Sequence, residues 1–280
     1  MVVRTGPKVT SMAEAIAAVD DGSQVALGGN TVHRSPSAAV HEMVRQGKRD
    51  LTIVKTAGGY DIDLLCGAGC LSRLIVAYVG FENLQGLAPQ FRRAIEQGRV
   101  ALEEQTCTSV ITGLRAASQG IPFMPIAGMS GSDIVPGRFL SVPNPYGEGE
   151  VVTVPAIWPD WAIVHVQEAD EQGNACIRGT QFEDVLMVKA ARRVIVTCER
   201  LVDGEELARQ PELTTIPGFQ VDMVIETPGG ARPASCAGYY GVDEAYLAEY
   251  YRAAAGSPAG LTTFIAEHMG QAEPVGAGER

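Results

Sequence analysis

The chain has 280 residues, 46% hydrophobic and 20% charged, enough to bury a large core and most simply read as one large α/β domain. Its net charge of −11 comes without any block of Lys or Arg, Arg92-Arg93 and Arg192-Arg193 being the densest basic pairs, so no nucleic-acid partner is expected. No apolar run reaches the roughly 18 residues of a membrane span, and six cysteines without a signal peptide point to reduced thiols in a cytoplasmic protein.

In chain order, Ser11 and Glu14 read as a capping box opening a helix with Ile16 and Val19 inward, closed at Asp21-Gly22. Val25–Leu27 is a short buried strand, followed by the tight turn Gly28-Gly29 and by Ser35-Pro36, which reads as an N-cap with proline at the first helical position. A helix runs from Pro36 to about Gln46, and Leu51–Thr56 is a second strand ending in Gly58-Gly59. Asp61 to Cys70 forms a short helix, and the third strand, Leu74–Val79, ends in Gly80-Phe81-Glu82. A helix from Pro89 to Gln97, a short strand from Val100 toward Glu103-Glu104-Gln105 and a helix from Ser109 to Gln119 follow.

Gly128–Asp133 is a small-residue loop able to wrap a polar ligand, whereas 137–153 reads as a long aperiodic excursion between two halves of the sheet. Strands are expected at Trp161–Val166, within Gly173–Gly179, at Arg193–Cys198 and at Phe219–Ile225. Helices are expected over Glu183–Arg192 and Asp243–Ala254. The domain is expected to span 1–269, with a disordered tail over 270–280.

Three successive strands stopping at glycine, with polar residues just beyond, suggest a shared rim facing a ligand or partner, since open α/β sheets bind ligands at the carboxyl ends of their strands. A single such turn would be mere punctuation. Glu82 and Glu104 follow strand ends, where desolvation would suit a carboxyl to acid/base or nucleophilic work, although surface exposure explains each alone. His165, inside an apolar strand, reads as a satisfied core histidine. Cys66 and Cys70 are spaced C-x₃-C without a second ligand pair, so no metal is expected. No nucleophile elbow, Walker pattern or complete dinucleotide fingerprint occurs.

Six short motifs carry a resemblance: Gly28-Gly29-Asn30 with Arg34-Ser35-Pro36; Tyr78-Val79-Gly80 with Glu82; Gly120–Pro125; Gly131-Ser132-Asp133; Asp170 with Gly173-Asn174-Ala175; and Pro228–Ala231 with Pro233. In this order, over about residues 10 to 255, they resemble the A (α) subunit of family I CoA-transferases, in the glutaconate CoA-transferase branch. The resemblance implies an open, mostly parallel α/β sheet flanked by helices, the CoA-transferase (sugar-isomerase-like) fold, and activity as a heteromer with a B (β) subunit, often a heterotetramer. It implies a glutamate on that partner which attacks the acyl-CoA, an acceptor carboxylic acid, and coenzyme A thioester as substrate with no covalently bound cofactor.

On that resemblance, Gly28, Gly29 and Asn30 offer donors to an oxyanion or substrate carboxylate, Arg34 pairs with a dicarboxylate acyl group or is merely solvated, and Gly80, Glu82, Gly128 and Ser130 line the substrate. Gln105 falls where related ketoacid transferases place an active-site glutamine. Glu104 falls where a ring-opening hydrolase branch places a functional glutamate, and Asp61 with Leu64-Leu65-Cys66-Gly67-Ala68-Gly69 resembles that branch too. Asn30 stands where an aromatic residue is usual, which changes the pocket. The acidic charge implies that the partner holds most of the nucleotide. The alternatives are the α chain of a CoA-thioester hydrolase and a non-catalytic binding module of the same fold.

Overall fold

The computed structural model describes residues 6–269; the tail expected beyond them lies outside that range. Its main sheet runs through β1 (Gln24–Leu27), β2 (Leu51–Gly58), β3 (Leu71–Val79), β4 (Ala101–Glu104), β8 (Trp161–Asp170), β10 (Arg193–Val202) and β11 (Met223–Glu226). These lie in the order β11-β10-β8-β1-β2-β3-β4, all parallel, with β9 (Ala175–Cys176) antiparallel beside β8. β5 (Phe123–Ile126), β6 (Leu140–Pro143) and β7 (Glu150–Pro155) form a separate antiparallel sheet in the order β5-β7-β6.

The alternation of the buried strands explains why they read as continuous apolar runs. Val25 and Leu27 of β1 face one core, which packs α1 (Met12–Ala17), α2 (Ser37–Arg45), α3 (Tyr60–Gly67), α5 (Pro89–Glu96), α9 (Glu244–Ala255) and α10 (Pro258–Met269). Ala26 faces the other core, beneath α6 (Cys107–Ser118) and α7 (Asp184–Ala190). The short α8 (Gly204–Ala208), capped by Asp203, follows β10. Where helices cover both faces of the sheet, a polar side chain needs a buried partner. The crossovers β1-α2-β2-α3-β3 proceed to one side of β1, and β8-α7-β10 proceeds to the other, so the winding reverses between β1 and β8, which pair directly with Val25 opposite Trp161. In open sheets of this kind the carboxyl edge beside such a reversal is where ligands bind.

Several expectations are corrected. The 137–153 excursion contains β6 and most of β7, folded against β5 around Ile126, Met129, Phe139, Val152 and Val154. Cross-strand pairing there takes only four residues of β6, too few to show a period. The strand expected from Phe219 begins at Met223, because Gly218–Gln220 is a 3₁₀ turn that leaves Phe219 exposed. Pro36, not Ser35, occupies the N-cap of α2, without a side-chain cap. Helix α10, for which the sequence reading assigns no element, buries Leu261, Phe264 and Ile265. Among the described residues no helix is long and apolar enough to cross a membrane.

Asp63 on α3 illustrates how the helices are fastened. Helix α5 has no cap of its own at Ala88, and Asp63 supplies one from outside: Oδ1 accepts the amides of Gln90 and Phe91, both at 2.7 Å, while Oδ2 accepts the Tyr250 hydroxyl at 2.8 Å. Burial lifts this carboxyl from 3.8 to about 6. A raised acid stabilises the fold in its protonated form; that stability is complete below the ordinary value and is lost as pH rises through about 6. Asp63→Asn should therefore change the stability difference from the parent by up to about 3 kcal/mol between pH 4 and pH 7, read by urea unfolding. A difference that stays flat across that range would contradict the shift.

Candidate active site at the carboxyl edge

The three glycine turns meet, as the strand endings imply. β1, β2 and β3 are adjacent and parallel, so Gly28-Gly29, Gly58-Gly59 and Gly80 emerge on one edge. They also touch: the Thr31 amide donates to Ala57 O at 3.0 Å and the Gly80 amide to Gly58 O at 3.0 Å. A Cβ on Gly59 would stand 3.1 Å from Thr31 O and 3.2 Å from Gly80 O, so a side chain there would have to push the turns apart by a few tenths of an ångström.

Two buried ion pairs brace the first turn from opposite faces of the sheet. Lys55, fully buried on β2, donates from Nζ to Asp61 Oδ2 at 2.6 Å, to Gly28 O at 2.6 Å and to Ser35 Oγ at 3.1 Å. Asp61 in turn accepts the amides of Gly59 and Ile62 and the Ser35 hydroxyl. On the other side Arg34 donates to Asp184 Oδ2 at 2.5 Å, to His165 O at 2.7 Å and to Thr180 O at 3.1 Å, and Asp184 Oδ1 accepts the Gly29 amide at 2.9 Å. The turn is thus held at its carbonyl by a cation and at its amide by an anion.

This bracing corrects two expectations. The amides of Gly28, Gly29 and Asn30 do not face an open oxyanion position: they donate to Ile163 O, Asp184 Oδ1 and His33 O. Arg34 is likewise committed, with its side chain 4% exposed and engaged with Asp184, so it fixes the turn instead of offering a free fork to a substrate carboxylate. Of this trio, the half-buried Asn30 carboxamide is the polar group left to reach a ligand.

The other candidates fall along the same edge. Glu82, at the start of α4 (Glu82–Gln85), accepts the Thr31 hydroxyl and lies 3.8 Å from His33 Nε2. Gly80 is buried at the end of β3, against the turn that leads to Glu82. Gln105, buried, continues from β4, its amide bonded to Val76 O; its carboxamide accepts the Ser109 hydroxyl at 2.6 Å and donates to Glu103 at 3.0 Å. Glu104 beside it is exposed, where the sequence reading expects a strand-end carboxyl that burial desolvates. Gly128 and Ser130, both exposed, flank Met129, whose sulfur accepts the Thr106 hydroxyl at 3.8 Å, and Arg138 donates to Glu104 O at 2.5 Å. The antiparallel sheet therefore forms one bank of the rim next to Glu104.

Backbone strain concentrates here. Thr31, Arg34, Glu82 and Phe182 have φ of +44°, +53°, +54° and +48°, leaving only Asp50 elsewhere among non-glycine residues described with positive φ. Each costs about 1 kcal/mol or more and persists only where the surroundings impose it, a pattern typical of functional edges.

Residues that the sequence reading passes over include Lys55, Asp184, Thr56 and Glu183. Lys55 left a signal, a lone cation in an apolar strand; Asp184 left none, since its partners lie about 150 residues away. Glu183 accepts the Thr56 hydroxyl at 2.9 Å, and burial holds its carboxyl above the ordinary range. His165 is the satisfied core histidine: Nδ1 pairs with Thr197 at 2.9 Å and Nε2 with Glu199 at 2.7 Å. Burial pushes its imidazole down, while burial would raise Glu199 but its bonds from His165, Tyr240 and Gly229 outweigh that and hold it low. Ligand atoms of His165, Glu199 and Cys236 lie within 4.8 Å of one another, yet both ring nitrogens and the carboxylate are already engaged by protein groups.

Fold and rim together define an open, doubly wound α/β domain whose candidate site runs along the carboxyl edge of β1 to β4, beginning beside the point where the winding reverses. The sequence profile of the coenzyme A transferase family matches residues 9–227, and the chain belongs to that family. It is 37% identical over 262 residues to the A chain of the glutaconate CoA-transferase of Acidaminococcus fermentans, covering 87% of this chain and 82% of that one. It is 31% identical over 278 residues to the cholesterol ring-cleaving hydrolase IpdA subunit of Mycobacterium tuberculosis, covering 95% and 94%. The crystal structure of the Acidaminococcus fermentans glutaconate coenzyme A-transferase superimposes with a TM-score of 0.91 at 34% identity, covering 94% of this chain and 89% of that one.

Proposed function

We propose that this chain is the A (α) subunit of a heteromeric CoA-transferase, moving coenzyme A between an acyl-CoA thioester and a carboxylic acid. The observation that carries the reading is the convergence of three glycine turns into one braced rim, in a chain built over nearly its whole length like a glutaconate CoA-transferase. A B subunit supplies the glutamate that attacks the thioester and forms the acyl-glutamyl anhydride; this chain provides the floor and one bank. Asn30, Glu82, Glu104 and Gln105, with Gly80, Gly128 and Ser130, face the acyl group across the junction. Most of the nucleotide rests on the partner, in keeping with the −11 charge here. The assembly is a heterotetramer in the cytoplasm, a reducing compartment suited to six free thiols.

Mixed with its B subunit, the chain should exchange CoA between donor and acceptor acids, and borohydride or hydroxylamine should trap the intermediate on the B chain. Exchange catalysed by this chain alone would refute the assignment. A second reading, as one chain of a CoA-thioester hydrolase acting on a carbon–carbon bond, draws on the near full-length likeness to a ring-cleaving hydrolase subunit. Glu104→Ala separates the two. A loss of only a few-fold in kcat is expected for the transferase, whose nucleophile lies elsewhere; a loss of about 100-fold or more would favour the hydrolase.

A further inference from the structure

We infer that His33 is a second reactive group of the rim, a general base that hydrolyses the acyl-CoA thioester when no acceptor acid is present. The inference rests on the rim being the acyl-CoA site. His33 sits at the tip of the first turn with its side chain 47% exposed, and its backbone is locked by reciprocal bonds with Asn30, both 2.8 Å. Its Nδ1 lies 2.9 Å from Ser235 Oγ, and that hydroxyl also reaches Val32 O at 3.3 Å. With the Ser235 proton directed to Val32 O, Nδ1 carries the ring proton and donates to Oγ, which leaves the Nε2 lone pair outward.

Nε2 stands 3.8 Å from Glu82 Oε1, too far for a hydrogen bond but close enough for one water to donate to both bases. Glu82 is itself held by the Thr31 hydroxyl, and the Phe182 ring stacks on His33 at 6.5 Å and 18°. The four residues of the rim at positive φ are its neighbour Arg34, the nearby Thr31, its carboxylate Glu82 and its stacking ring Phe182. All the local strain thus converges on placing one imidazole.

The step balances with water as the only co-reactant. Water oxygen bonds to the thioester carbonyl carbon as its proton passes to Nε2. The C–S bond then breaks, and the departing sulfur takes that proton from the imidazolium, giving free acid and CoA thiol. The charged groups facing the ring are Glu82 directly and Arg34 behind Phe182.

The test measures CoA release by the A/B complex without acceptor, alongside exchange with acceptor. The parent complex should release CoA well above the uncatalysed rate, His33→Ala should lose about 100-fold, and added imidazole should restore part of it, a rescue no structural role would give. Glu82→Gln should lose at least several-fold. Should His33→Ala fail to assemble, diethyl pyrocarbonate on the native complex should abolish release in step with His33 modification in peptide maps. Exchange without release in the parent, or undiminished release after loss of His33, would overturn the inference while leaving the transferase assignment standing. Absence of both exchange and release would overturn the two together.

Discussion

Gly29→Val should leave the A/B complex with at least about 100-fold less exchange activity than the parent, while this chain still folds. Gly29 has φ +69°, and a Cβ there would stand 2.5 Å from both the carbonyl carbon and oxygen of Arg34 and 2.6 Å from His33 O. Those are backbone atoms that cannot swing aside, so the turn must open. Opening it breaks the Gly29 amide bond to Asp184 and moves Asn30, His33 and Arg34 together. A displacement of about 1 Å at a positioning element costs of the order of 100-fold. The strand beneath keeps its ladder to β2 and β8, so circular dichroism and elution volume should match the parent. Unchanged kcat would remove the turn from the site.

Lys55→Met should be the most destabilising exchange of similar size in the sheet, by about 3–5 kcal/mol, or roughly 10 °C in Tm. Methionine fills the same length but strands the Asp61 carboxylate in a site where neither partner is exposed. Asp61 retains the amides of Gly59 and Ile62, which satisfy one oxygen; the other keeps only the Ser35 hydroxyl at 3.2 Å. The double variant Lys55→Met with Asp61→Asn removes the orphaned charge and should recover much of the loss, since replacing both members of a buried pair is far milder than removing one. Urea midpoints of the two single variants and the double variant complete the cycle. Lys55→Met within about 0.5 kcal/mol of the parent would mean that the buried pair does not hold the turn.

The rim was legible in the sequence because a parallel strand that must stop and turn sharply into a helix advertises the turn with glycine, and three such turns on adjacent strands share an edge. The occupancy of that edge was not. That the Gly29 amide is taken by Asp184 depends on a contact spanning 155 positions, which no local pattern encodes. The family resemblance pairs Arg34 with a substrate carboxylate, whereas in the fold Asp184 and the His165 and Thr180 carbonyls close around it. Lys55 could have been noticed: inside Leu51–Gly58 a fully buried amine demands an anion, and Asp61 is six residues on. The antiparallel sheet stayed hidden because its short strands carry exposed Phe123, Leu140 and Val142, so no inward-outward alternation marks them.

The position of β1 bears on how the chain comes off the ribosome. Its neighbours are β2, which follows within about 30 residues, and β8, whose first residue Trp161 pairs with Val25, a separation of 161 − 25 = 136 positions. While the nascent polypeptide stops short of Trp161, the amides and carbonyls along that flank of β1 have no mate. They form a sticky border able to recruit any passing extended segment. Synthesis of the second half is therefore what seals the first.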